Sequence, residues 1–240
     1  APEIFISVES ALQNKTILAI GNALGSNISN IAIVFCISLF FVKGDLTKKN
    51  LPIRPYMSMI LLTIAAFTLM FFDERLDAKD SLILIVLLIL CVYYFNTTED
   101  KKSADSKVYP NLSNIIFYLL LSLGMLIYGS TYFISGATQI ATTLGVSTYV
   151  IGLTLAALGT SLPELAASIQ SARKGKVDFI VGNIIGSNLF NIAIAMSFAG
   201  IISSSYIESS ALIRDILMLG LSTFVLYLII QSNSMFRTVY

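Results

Sequence analysis

Apolar runs alternate with short polar breaks along this chain, and the breaks divide it into eight stretches. Residues 1–12, 16–42, 55–72, 81–96, 111–136, 147–172, 177–202 and 210–231 each read as an apolar helix, with 81–96 near the minimum length that crosses a bilayer. The breaks differ in character. Lys43 to Arg54 is a polar loop, Asp73 to Asp80 a short charged turn, and Thr97 to Pro110 the longest polar linker. Gly136 to Val146 is a neutral loop, and Arg173 to Lys176 a basic turn. Residues 1–12 read as the second half of a helix, because the matching stretch at 147–172 carries a full apolar run ahead of its Pro-Glu.

That match is a duplication. At a constant offset of 161 residues, Pro2–Ile33 and Pro163–Ile194 align without a gap, and 15 of the 32 positions are identical. Shared are Pro2-Glu3 with Pro163-Glu164, and Gly21-Asn22-Ala23-Leu24-Gly25-Ser26-Asn27 with Gly182-Asn183-Ile184-Ile185-Gly186-Ser187-Asn188. Asn30 and Asn191, three residues after each run, are shared as well. A polar motif duplicated in an apolar chain is the signature of a transporter built from repeats.

Charge supplies the orientation. If successive breaks alternate sides, one side receives 4 basic residues (Lys15, Arg75, Lys79, Arg214) and the other receives the remaining 11 of the 15. The basic side, which holds 97–110, is then cytoplasmic. Five crossings separate the two copies, so they enter the membrane from opposite sides. The expected fold is an all-α membrane protein with an inverted-topology repeat. Residues 1–96 form the first repeat, 97–110 a cytoplasmic linker, and 111–240 the second repeat.

Composition agrees. The chain is 56% hydrophobic and 12% charged, with mean hydropathy +0.82, which excludes an ordinary soluble domain. A net charge of +1 gives no electrostatic footprint for nucleic acid. The lack of His removes the usual proton relay and the commonest zinc ligand. Cys36 and Cys91 lie inside apolar stretches, which argues against a disulfide framework. No basic region precedes an apolar leader, so no signal peptide is read, and no cofactor is implied.

Chemistry concentrates in the repeats. A glutamate in an apolar helix is expensive and marks a pathway or a site; here Glu3 and Glu164 occupy equivalent positions. Pro163 lacks an N–H and clashes with the carbonyl four residues back, at Gly159, which predicts a kink and freed carbonyls. Thr160 and Ser161 precede Glu164 by four and three residues, and Ala157 by seven, so all share its face. The set is a carboxylate, two hydroxyls and main-chain carbonyls, which suits Na⁺ or Ca²⁺ over softer metals. The second helix of each copy adds a polar stripe, Asn22, Ser26 and Asn30 or Asn183, Ser187 and Asn191. The predicted site lies where four helices cross near the midplane, with the two carboxylates facing one another. Without a cation or proton both charges are costly, which is physical ground for antiport.

Blander readings compete. Gly-x-x-x-Gly with Ser and Asn is common helix-packing glue, and either run alone favours packing. Glu9 has Gln170 at its equivalent position, so a structural or entrance role is expected rather than ion coordination. Asp178, beside the basic turn, reads as interfacial.

Gly159-Thr160-Ser161-Leu162-Pro163-Glu164 with the run from Gly182 to Asn188, and Pro2-Glu3 with the run from Gly21 to Asn27, resemble the two signature repeats of the sodium/calcium exchanger family. That family belongs to the cation/calcium antiporter superfamily. The resemblance implies Glu3 and Glu164 as central Ca²⁺ ligands shared with Na⁺. It implies Thr160, Ser161 and the Ala157 carbonyl at Na⁺ sites, with Ser26, Ser187, Asn30 and Asn191 completing the coordination. It also implies ten transmembrane helices, against about eight here. The first, the start of the second and the last are expected to be absent from the sequence, and the gating pair is represented only by the sixth, 111–136. The chain as given is therefore not expected to transport by itself. Asn191 stands where some prokaryotic relatives carry Asp, leaving two carboxylates and opening H⁺ as counter-ion. The expected function is an integral membrane antiporter of a prokaryotic cell membrane, exchanging Ca²⁺ for Na⁺ by alternating access, and not an enzyme. A Ca²⁺/H⁺ exchanger is the nearer alternative. A non-transporting membrane binding or assembly module is the alternative from another class.

Overall fold

The computed structural model describes residues 2–42, 53–96, 112–204, 206–207 and 209–231. The expected linker 97–110 and most of the loop from Lys43 to Arg54 lie outside the described residues. Among the described residues the chain is helical almost throughout. In order it forms α1 (Pro2–Leu12), α2 (Thr16–Ser29), α3 (Cys36–Leu39), α4 (Ile53–Asp73), α5 (Ala78–Asn96) and α6 (Leu112–Thr143). It continues as α7 (Thr148–Ile151), α8 (Ala157–Thr160), α9 (Leu162–Arg173), α10 (Val177–Phe190), α11 (Met196–Ile202) and α12 (Ser209–Gln231). Three π-helical turns, Asn30–Phe35, Gly152–Ala156 and Asn191–Ala195, join α2 to α3, α7 to α8 and α10 to α11. Among the described residues five runs are long and apolar enough to cross a membrane: Thr16–Leu39, Ile53–Phe72, Thr148–Arg173, Val177–Ile202 and Ser210–Ile229.

Several boundaries differ from the expected ones: α4 takes in Asp73 and α5 begins at Ala78, which shortens the expected turn Asp73 to Asp80. Gly136 to Val146 is not a loop throughout, because α6 runs on to Thr143. The hydroxyls of Thr142 and Thr143 donate to carbonyls one turn back, at Thr138 and Gln139, at 2.8–3.0 Å. Thr in this role satisfies itself inside the helix, so a polar stretch remains helical. Arg54, allotted to the preceding loop, lies in the first turn of α4.

Contacts between the ends of the helices follow the alternation of sides. The turn at Glu74–Arg75 bridges to Tyr206, and the Ile207 N–H donates to the Glu74 carbonyl at 2.7 Å. The breaks after the third and seventh segments therefore share a side. On the other side the Arg173 guanidinium sits 5.3 Å from the Phe41 ring centre, and Arg54 sits 5.4 Å from that of Tyr94. Between α4 and α5 the Asp77 carboxylate caps α5. It accepts from the backbone N–H groups of Asp80 and Lys79 at 3.0 and 2.8 Å. The Asp80 N–H first, then that of Lys79, holds its carboxyl below the usual range. A depressed carboxyl stabilises above its unfolded-state pKa, and this cap is lost as pH falls through the folded one.

The largest apolar cluster among the described residues has Ile20, Leu24 and Phe35 from the first repeat with Ile184 and Ile185 from the second. Leu82, Phe72, Leu217 and Leu221 point outward, a face that acyl chains can cover. Lipid tails are as apolar as leucine, so apolar burial alone drives little helix association in a bilayer. Close approach and hydrogen bonds must supply the rest. Gly21 provides the first: a Cβ there would stand 2.8 Å from the Tyr149 carbonyl oxygen. Gly25 is tighter, its added Cβ overlapping the Leu153 carbonyl. The buried Tyr149 hydroxyl bonds the buried carboxylate of Asp215 on α12, which also accepts from Arg214 Nε at 2.8 Å.

Candidate cation site

Glu164 lies just past a break in its helix, and Glu3 lies in the first turn of α1. The run from Thr148 stops at Thr160, turns through Ser161 (φ −81°, ψ −2°) and restarts as α9, with Pro163 in its first turn. The expected kink is therefore present, displaced to Ser161. Proline fits the first turn of a helix, where its missing N–H costs nothing. Glu164 follows in the same turn, and Glu3 holds the equivalent place at the start of α1.

Glu3 and Glu164 line one cavity of about 400 Å³ together with Gly182, Asn183, Gly186, Ser187, Phe190 and Asn191. Gly182 and Gly186 leave room there, since an added Cβ at either meets no atom within 4 Å. Their repeat mates Gly21 and Gly25 are clasped by the 148–157 helix, so one motif serves two purposes. In the first repeat it packs; in the second it borders the cavity.

Thr160, Ser26 and Ala157 come together in a second oxygen cluster. The Thr160 hydroxyl lies 3.0 Å from that of Ser26, 3.2 Å from the Ala157 carbonyl and 3.2 Å from Asn22 Oδ1. Ser26 Oγ is also 3.5 Å from the Ala157 carbonyl. The hydroxyls of Thr160 and Ser26 and the Ala157 carbonyl bring three oxygens together with two protons between them, and Asn22 Oδ1 joins them while its Nδ2 is buried without a partner. Nearby, Ser161 Oγ, Glu164 Oε2 and Asn30 Oδ1 are buried with no hydrogen-bond partner. Buried unsatisfied polar atoms are rare, and each costs roughly 1–3 kcal/mol. Glu164 Oε2 belongs to the cavity lining, where a bound cation would accept its lone pair. Among the described residues no group of three or more His, Cys, Asp and Glu side chains forms, so the donor set is oxygen with two carboxylates.

Of the nine expected ligands, four (Glu3, Glu164, Ser187 and Asn191) line the cavity, and three (Thr160, Ser26 and Ala157) form the adjoining cluster. Ser161 and Asn30 are buried beside them. Four asparagines absent from that list also meet here. Asn22 belongs to the Thr160 cluster, and Asn183 Nδ2 donates to Ser168 Oγ at 3.1 Å and to the Glu164 carbonyl at 3.4 Å. Asn27 and Asn188 exchange bonds across the repeats: Asn27 Nδ2 to the Asn188 carbonyl and Asn188 Nδ2 to the Asn27 carbonyl, both at 3.2 Å. Asn30 Nδ2 donates to Asn188 Oδ1 and Asn191 Nδ2 to Asn27 Oδ1, both at 3.0 Å. Each bond maps onto its twin by the 161-residue offset, as a two-fold axis between inverted repeats requires. The signal for them was repeat identity, because all four are shared between the copies.

Glu9 lies apart from the site. It is exposed, accepts from Gln13 Nε2 at 2.8 Å, and lines a separate cavity of about 510 Å³ between α1 and α6. Asp178 is exposed in the first turn of α10.

Comparison with known proteins places this geometry. The profile of the sodium/calcium exchanger protein family matches residues 1–96 and 114–238. The chain is similar to the putative antiporter CaxA of Alkalimonas amylolytica, at 34% identity over 95% of this chain and 74% of that protein. It is also similar to the inner membrane protein YrbG of Escherichia coli (strain K12), at 31% identity over 89% of this chain and 69% of that one. Among solved structures it resembles the sodium-calcium exchanger NCX_Mj soaked with Na⁺ and Ca²⁺. The TM-score is 0.69 at 28% identity, covering 96% of this chain and 74% of that one.

Proposed function

The chain belongs to the sodium/calcium exchanger protein family, and on that premise we propose that it exchanges Ca²⁺ for Na⁺ across a prokaryotic cell membrane by alternating access. Cation/calcium antiport is the common ground of the family and its structural relative; Na⁺ as counter-ion is the finer reading. One observation carries it: carboxylates from opposite repeats, Glu3 and Glu164, line one cavity bordered by neutral oxygen donors. Ca²⁺ takes both carboxylates and is neutralised by them. Na⁺ uses the same carboxylates and the cluster of Thr160, Ser161, Ser26 and the Ala157 carbonyl, with Ser187, Asn30 and Asn191 completing the shell. Two uncompensated carboxylates in a low-dielectric cavity repel, so the site crosses loaded rather than bare. That is the condition for exchange rather than leak. We take 1–96 and 111–240 as the two repeats that rock about this site.

A proton-coupled reading has its own support, because Asn occupies both position 30 and position 191 and only two carboxylates line the cavity. The two readings separate in proteoliposomes carrying the full-length protein. ⁴⁵Ca²⁺ uptake is expected with an outward Na⁺ gradient at fixed pH and not with a pH gradient lacking Na⁺. Uptake driven by the pH gradient alone would replace Na⁺ with H⁺. No uptake from correctly inserted protein under either gradient would leave a module that binds or assembles without transport.

A further inference from the structure

We infer that Asn27 and Asn188 are positioning residues that dictate which end of Asn30 and Asn191 is offered to the transported cation. The inference deepens the antiporter reading and rests on it. Two main-chain carbonyls set the arrangement. Asn27 meets the carbonyl of Asn188, and Asn188 meets that of Asn27, each at 3.2 Å. A carbonyl oxygen can only accept, so both side chains must turn their Nδ2 toward it. This fixes the other end of each amide as oxygen. Asn27 Oδ1 faces Asn191 and Asn188 Oδ1 faces Asn30, both across 3.0 Å. Facing an oxygen, Asn191 and Asn30 must in turn present Nδ2 to this knot. Their own oxygens are thereby set on the opposite end.

The outcome matches what a cation needs. Asn30 Oδ1 is buried with no hydrogen-bond partner, while Asn191 borders the cavity that holds Glu3 and Glu164. A carboxamide reversed at either position would offer N–H groups to a positive charge. Nothing within an isolated asparagine prevents that reversal, since its two ends are nearly equal in size. The main-chain carbonyls do, through one intervening amide. All four side chains are at most 2% exposed, so water does not compete for these bonds. The knot is two-fold symmetric, and each repeat sets the polarity of the ligand in the other: Asn27 sets Asn191, and Asn188 sets Asn30.

Ca²⁺-for-⁴⁵Ca²⁺ self-exchange in proteoliposomes tests this without reference to Na⁺ or H⁺. The variants are Asn30→Leu, Asn188→Leu, the double variant and Asn188→Asp in the full-length protein. Asn188→Leu frees Asn30 to reverse, and half-saturating Ca²⁺ is expected to rise about tenfold, the size of one lost hydrogen bond to a charge-bearing site, with maximal rate per inserted protein held within about twofold. The double variant is expected to match Asn30→Leu, since the two act as one unit. Asn188→Asp still accepts from Asn30 Nδ2, so half-saturation stays at or below the unsubstituted value. A merely structural role predicts the opposite order, because Asp buries a charge and loses the bond to Asn27. If Asn188→Leu does not insert, Asn188→Ala replaces it with the same expectation. Normal half-saturation in Asn188→Leu beside an impaired Asn30→Leu, multiplying effects in the double variant, or an equal rise in the Leu and Asp variants would each overturn the positioning role. Asn30→Leu without effect would overturn the ligand role of Asn30 as well.

Discussion

Glu164→Gln is expected to abolish Ca²⁺ exchange in proteoliposomes while leaving the protein folded, and Glu3→Gln to do the same from the other repeat. Gln keeps the size of Glu and one oxygen donor, so packing is preserved. What goes is one of two negative charges bordering the cavity. Removing a unit charge beside a divalent cation costs on the order of several kcal/mol even at an effective dielectric near 20. The remaining amide oxygen restores part of that. The net expectation is a loss of apparent Ca²⁺ affinity of more than about a hundredfold, where ~2.7 kcal/mol corresponds to that factor. Size-exclusion profile and thermal midpoint in detergent should stay close to those of the unsubstituted protein, since Gln fills the same space and keeps an acceptor oxygen. Exchange retained in either variant would remove the carboxylate pair from the mechanism.

The second large effect concerns a glycine pair that is identical in sequence and opposite in setting. Gly25→Ala is expected to destabilise the protein severely, and Gly186→Ala to leave its stability nearly unchanged. At Gly25 a methyl would overlap the Leu153 carbonyl and stand 2.8 Å from Ala157 Cβ. These atoms belong to the backbone and first side-chain atom of a buried helix, so no rotamer change relieves the clash. Overpacking of this kind costs typically ~1–3 kcal/mol, and more where backbone must move. The separation of α2 from the 148–157 helix would also disturb the Ser26–Thr160 contact at 3.0 Å. At Gly186 the same methyl meets nothing within 4 Å. Thermal unfolding of both purified variants in one detergent checks the contrast. Equal midpoints would refute the packing assigned to Gly25.

Much of this arrangement was legible in the sequence because duplication makes function visible. Pro2-Glu3 and Pro163-Glu164 are weak signals singly, yet their repetition at one offset inside apolar helices marked both carboxylates. The alternation of breaks put those after the third and seventh segments on one side and those after the second and sixth on the other, and the structure pairs Arg75 with Tyr206 and Arg173 with Phe41 accordingly. The asparagine knot was not read, for a physical reason. A search for a stripe spaced at four residues selects 22, 26 and 30 and passes over Asn27, which reaches the opposite repeat from the same helix. Which of two equivalent residues packs and which borders a cavity was equally hidden. Gly25 and Gly186 hold the same place in the duplicated motif and differ in what the rest of the fold brings against them. The π-helical turns beginning at Asn30 and Asn191 lack a local sequence code, although such turns gather at functional sites. The overlong α6 came from hydroxyls that satisfy themselves within the helix.

The proposed exchange requires Ca²⁺ and Na⁺ to occupy one site between the two repeats in turn. Equilibrium ⁴⁵Ca²⁺ binding to the purified full-length protein, titrated with Na⁺ at constant ionic strength and pH, tests it most directly. The account predicts that Na⁺ displaces Ca²⁺ competitively, K⁺ at equal concentration does not, and the Glu3→Gln/Glu164→Gln double variant binds no Ca²⁺ above background. Saturable Ca²⁺ binding that survives in the double variant, or that Na⁺ leaves unchanged, would contradict it.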